Sequence, residues 1–84
     1  MINYQKYIEI NAELRFGKPI IIGTRISVYD ILNWLANGMT FEEIINDFPE
    51  LTDEHIKAAL AYAADKEHKT RVASWNSYLT KIFH

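Results

Sequence analysis

Thiolate chemistry and a disulfide framework are both closed to this chain, because it contains no cysteine. Its three histidines, His55, His68 and His84, are widely separated and form no metal-ligand spacing, so the sequence predicts no metal and no cofactor. Asp30, Glu42, Glu43 and Asp47 are of the right type for a metal-dependent nuclease. Helix capping, first-turn placement or a solvent-facing position accounts for three of those four, and no general base stands beside a nucleophile. Gly17 and Gly23 lie too far apart for a dinucleotide loop, and no Gly-Lys-Ser/Thr follows a glycine-rich turn. The chemistry left is that of binding, and the chain reads as non-catalytic.

Arg25 leads the binding candidates. It follows an apolar run in a Gly23-Thr24-Arg25 turn, and its planar fork suits a phosphate or a carboxylate. The structural alternative is that Arg25 holds the turn by bonding backbone carbonyls or by pairing with Asp30. Lys18, beside Gly17, is a similar case. Lys6, Arg15, Lys18 and Arg25 are the basic residues of the first half, and they form one patch if the strands meet at a dimer axis. His55 and Lys57 complete the DNA-binding candidates, near the start of the third helical pattern. Asp53 and Glu54 stand beside them and match a phosphate backbone poorly, although an acid can accept from cytosine N4.

Charge points the same way. The net charge is −2 over 84 residues. Residues 1–50 carry four Lys/Arg against seven Asp/Glu, and residues 51–84 five against four. A domain that holds DNA by itself is more often clearly basic, because phosphate neutralisation supplies most of the affinity. A dimer can still gather its few cations on one face.

These residues must be positioned by one domain, which at this length buries roughly 60–65% of its extended-chain surface. A hydrophobic fraction of 49% suffices for a core, while five Tyr, four Phe and two Trp exceed what a minimal core needs and suggest an interface. No apolar run approaches a membrane span, and the N-terminus lacks a basic region followed by a long apolar stretch; the expected location is the cytoplasm.

Residues 1–10 read as a short extended segment, in which Ile8 and Ile10 share a face. Pro19 to Ile22, bracketed by Gly17 and Gly23, read as a buried strand able to pair back on it. Ser27 is the expected N-cap of a first helix, with Asp30 completing a capping box. Val28, Ile31, Leu32 and Leu35 follow at helical spacing, and Asn37-Gly38 stops the helix. Thr40 and Glu43 cap a second helix through Phe41, Ile44, Ile45 and Phe48, and Pro49 ends it. Thr52 caps a third, alanine-rich helix carrying Ile56, Ala59, Leu60 and Ala63. Its small residues suit close packing of another element. The prediction is a mostly α chain: short N-terminal β-strands, a trihelical helix-turn-helix core and a C-terminal helical tail.

Residues 1–68 form the expected helix-turn-helix domain, and residues 69–84 an amphipathic segment for dimer or partner contact. Trp75, Tyr78, Leu79, Ile82 and Phe83 are its partner-binding candidates. They either complete the chain's own core or dimer, or lie in a groove on another protein. Short strands and alanine-rich faces look incomplete in one copy, which predicts a homodimer.

Gly17-Lys18-Pro19, Gly23-Thr24-Arg25-Ile26-Ser27-Val28, Leu35-Ala36-Asn37-Gly38-Met39-Thr40 and Phe48-Pro49-Glu50-Leu51-Thr52 together resemble a family of small bacterial and archaeal proteins. These are the DUF433 proteins, grouped with VapB45-like antitoxins. The likeness runs from about Tyr7 to Ala64. It implies a homeodomain-like or winged helix-turn-helix fold. It also implies an antitoxin that neutralises a PIN-like ribonuclease toxin and autoregulates its operon by binding operator DNA. The alternative is a homodimeric structural or adaptor protein without DNA binding.

Overall fold

Pro19, Ile20 and Ile21 are all buried in the computed structural model, which describes residues 3–13 and 15–67. The strand they form, β2 (Pro19–Ile21), is therefore covered on both faces, as a continuous apolar run requires. It pairs antiparallel with β1 (Ile8–Ile10), with Ile8 opposite Ile21 and Ile10 opposite Pro19. The Ile22 N–H extends the ladder to the Tyr7 carbonyl at 2.9 Å. Beyond β2 the chain reverses at Gly23, whose φ of +83° is easily adopted only without a Cβ. Thr24 locks the reversal. Its hydroxyl donates to the Ile21 carbonyl at 2.9 Å and accepts from the Ile26 N–H at 3.0 Å. The returning backbone adds a bridge between Ile20 and Ser27, so β2 is flanked on both edges.

Three helices follow: α1 (Val28–Ala36), α2 (Phe41–Asp47) and α3, residues 53–67. Reciprocal capping boxes start the first two, Ser27 with Asp30 and Thr40 with Glu43. Helix α1 stops as its sequence requires. Gly38 takes φ +93°, its N–H bonds the Leu35 carbonyl, and the Met39 N–H reaches the Trp34 carbonyl at 3.0 Å. The core gathers Ile8 and Ile21 from the sheet, Val28 and Ile31 from α1, Ile44 from α2, and Leu51, Ile56, Ala58 and Ala59 from the third unit. The fold is mostly α, three helices behind an N-terminal two-stranded sheet.

Two expectations change in detail. Residues 1–10 are not uniformly extended, because Tyr4–Lys6 forms a 3-10 turn capped by the Asn3 side chain. That turn sets Tyr4 edge-on to Tyr62 of α3, with ring centres 5.4 Å apart, and lets the Tyr4 hydroxyl donate to the Asp65 carboxylate. The alanines of α3 also divide. Ala58, Ala59 and Ala61 are buried within the protein's own fold, and Ala64 is exposed. The expected tail at 69–84, with Trp75, Tyr78, Leu79, Ile82 and Phe83, lies outside the described residues.

That division generates a stability test. Ala59→Leu overpacks the core and should cost about 1–3 kcal/mol. Ala64→Leu, on the exposed side of the same helix, should stay within about 0.5 kcal/mol of the parent in urea unfolding.

Candidate functional site: a pinned turn at the start of a helix

The loop joining β1 to β2 ends in three consecutive left-handed residues. Arg15, Phe16 and Gly17 have φ of +49°, +59° and +77°. Glycine accepts this conformation readily, whereas a bulky side chain there is strained by clash of its Cβ with the backbone. Two bonds from one nitrogen hold the turn. Arg15 Nη1 donates to the Arg25 carbonyl at 2.9 Å and to Asp30 Oδ2 at 3.2 Å. The same Asp30 oxygen accepts the Ser27 N–H at 3.0 Å, while the Ser27 hydroxyl accepts the Asp30 N–H. One carboxylate thus joins the hairpin loop, the Gly-Thr-Arg turn and the first turn of α1.

Of the four cations and histidines expected at a nucleic-acid surface, two sit by this turn. Lys18 and Arg25 are exposed, and neither side chain forms a hydrogen bond or ion pair among the described residues. The pairing of Arg25 with Asp30 weighed from sequence does not form. Arg15 takes that carboxylate, and Arg25 contributes only its backbone carbonyl.

The other two sit at the start of α3, and no hydrogen bond or ion pair joins them to Lys18 or Arg25 among the described residues. His55 Nδ1 accepts the Thr52 N–H at 3.0 Å, and the Thr52 hydroxyl accepts the His55 N–H at 3.4 Å. This is a capping box with imidazole where Glu or Gln usually stands. The ring is further fixed edge-on against Tyr7, with centres 5.6 Å apart. Lys57 lies 4.0 Å from Glu54, an exposed pair worth well under about 1 kcal/mol. Among the described residues no group of three His, Asp or Glu could hold a metal ion, and no helix is long and apolar enough to cross a membrane.

The sequence placed Arg15 only in a basic patch, not as the residue that pins the turn, and gave Phe16 no role. Phe16 is 98% exposed although it is among the largest apolar side chains of the chain. The available signal was an aromatic residue just before a turn glycine, where a packed side chain is not expected. A second surface feature is a groove of about 190 Å³ between α1 and α3. It is lined by Val28, Tyr29 and Leu32 of α1 and by Tyr62, Ala63, Lys66 and Glu67 of α3. Lys66 Nζ lies over the Tyr62 ring at 5.4 Å.

Partial burial by itself would raise the Asp30 pKa, but the Ser27 N–H and the Arg15 guanidinium outweigh it and hold the carboxyl below its ordinary 3.8. A depressed folded-state pKa stabilises the protein above the unfolded value, and that stability is lost as pH falls through the folded one. Between pH 7 and acid below about 3.9, Asp30→Asn should therefore lose less stability than the parent, measured as urea midpoints across pH. At α3, His55→Ala should cost about 1 kcal/mol through the lost cap, and His55→Gln clearly less, because its carbonyl can take the same N–H.

Comparison with known proteins places this geometry. The sequence profile described as "Protein of unknown function (DUF433)" matches residues 8–63, from β1 into α3. An uncharacterized protein of Sinorhizobium fredii, y4eO, is 38% identical over 59 residues, which are 70% of this chain and 27% of that protein. The chain therefore spans about a quarter of that relative's length. The crystal structure of a DUF433 member from Anabaena variabilis superposes with a TM-score of 0.71 at 28% identity, covering 77% of this chain and 64% of the other. On the extent of the profile match, with a member's fold agreeing, the chain belongs to the DUF433 family.

Proposed function

We propose that this chain is a non-catalytic, cytoplasmic protein-binding module of the antitoxin kind, which acts as a homodimer and neutralises a PIN-like ribonuclease. Its trihelical unit would then be a homeodomain-like or winged helix-turn-helix put to protein contact. One observation carries this reading: large apolar side chains stand open at several places on a small domain. Ile10, Phe16, Ile22, Tyr29 and Leu60 are all at least 40% exposed. Side chains this exposed are available to a partner, and covering them would contribute apolar burial to the contact. Neutralisation would consist of covering the ribonuclease cleft, or of drawing its metal-binding acids away from RNA. In this reading Lys81 or Arg71 would reach those acids.

Operator binding is a second reading, supported by Lys18 and Arg25, exposed cations with no ion pair among the described residues. The first turn of α3 supports it less, because Asp53 and Glu54 are exposed there and His55 is engaged in its cap. The expected DNA contact is thus the hairpin end of the molecule.

Co-expression with a PIN-like ribonuclease encoded beside it tests the proposal. The full-length chain should co-elute with the enzyme and abolish RNA cleavage. A version ending at Lys69 should lose capture if Trp75, Tyr78, Leu79, Ile82 and Phe83 form the contact. A folded full-length chain that neither co-elutes nor inhibits would overturn the antitoxin reading. For DNA, replacing Lys18 and Arg25 together by Ala should remove retention of the upstream duplex at low salt, with the helical signal unchanged.

A further inference from the structure

Two surface features of the molecule match each other in size and chemistry. The first is Phe16, a phenyl ring 98% exposed on a left-handed turn. A bulky residue at positive φ is an outlier, and strain of this kind persists only where the surroundings over-determine it. Here Arg15 does so, through the Arg25 carbonyl and Asp30. A backbone pinned in advance has less freedom to lose when its side chain is buried by a partner.

The second feature is the groove between α1 and α3. Leu32 and Ala63 supply apolar walls over the buried Val28, and Tyr29 and Tyr62 bring two aromatic rings, suited to edge-to-face contact with a third. Its volume is about 190 Å³. Apolar cavities of roughly 150 Å³ accept a benzene-sized ring, so one phenyl group fits.

Tyr29, which lines the groove, is on the same helix α1 whose first turn Arg15 pins through Asp30. A protruding ring and a ring-sized groove, on one small molecule, suit a two-fold pairing in which each copy fills the other. We propose that the protein self-associates by reciprocal insertion: Phe16 of one copy occupies the α1–α3 groove of a second, and the exchange is returned. This interface presupposes the homodimer proposed above, but it does not depend on a ribonuclease partner.

Sedimentation of the full-length protein across micromolar concentrations tests it. The parent should form a species of about twice the 9.8 kDa chain mass. Phe16→Ala should weaken the dimer by roughly tenfold or more for the lost ring burial, while Phe16→Tyr, which keeps a ring, should retain most of it. Phe16 is exposed, so neither change should disturb the monomer's circular dichroism. Ala63→Trp should fill the groove and also weaken association. Mixing Phe16→Ala with Ala63→Trp should restore part of it, because one intact ring and one intact groove then meet. A parent that stays monomeric would overturn both the dimer and this interface. A Phe16→Ala protein that dimerises like the parent would leave the dimer standing and overturn the insertion. If Phe16→Ala lost only ribonuclease capture, the ring would belong to that contact instead.

Discussion

A single carboxylate, that of Asp30, receives donors from two separate parts of the chain, and the arrangement around β2 depends on it. The Ser27 N–H and Arg15 Nη1 both converge on Oδ2. The first bond starts α1 and meets the positive end of its dipole. The second fastens a loop that would otherwise relax out of its left-handed conformation. Because Arg15 also holds the Arg25 carbonyl, the loop before β2 and the turn after it are tied to the same helix start. The strand between them is held at both ends. An ion pair as exposed as this one adds little stability as a pair. Its effect is geometric, fixing where Phe16, Lys18 and Arg25 lie.

The three helix starts solve one problem with different side chains. Each begins with a hydroxyl accepting the N3 amide, and each returns an acceptor to the N-cap amide: Asp30, Glu43 and His55 in turn. The first two acceptors are carboxylates, and Asp53 and Glu54 bring acids to the first turn of α3 as well. Each of the three described helices thus starts with negative charge, which satisfies its dipole and suits a phosphate backbone poorly. The exposed cations Lys18 and Arg25 lie outside the helices, on the strand-flanking turns.

Among the described residues most aromatic side chains are spent within the fold. Tyr4 meets Tyr62, Tyr7 meets His55, and Trp34 stacks on Phe48 with ring centres 4.2 Å apart. Each contact joins segments distant in sequence, so rings supply much of the cross-linking that a small aliphatic core cannot. Phe16 and Tyr29 remain open, one on the pinned turn and one on the groove.

Features decided within about four residues were legible in the sequence. Ser27, Thr40 and Thr52 start the helices, Gly38 and the Phe48-Pro49 pair stop two of them, and Pro19 to Ile21 form the buried strand, because caps, breakers and apolar runs act on their immediate neighbours. The pairing of β1 with β2 was legible too, since two short apolar segments joined by a turn have few other ways to satisfy their amides. Periodicity marked the apolar stripe of α3 but not what covers each part of it: Ile56 and Ala59 are buried as the stripe requires, whereas Leu60, on the same stripe, is 40% exposed. Tertiary structure alone gave the Asp30 carboxylate to Arg15 rather than to Arg25, brought Tyr4 to Asp65 across 61 residues, and stood Phe16 in solvent. The physical reason is common to all three. Such contacts depend on where whole elements settle against one another, and no local propensity of the residues involved encodes that position.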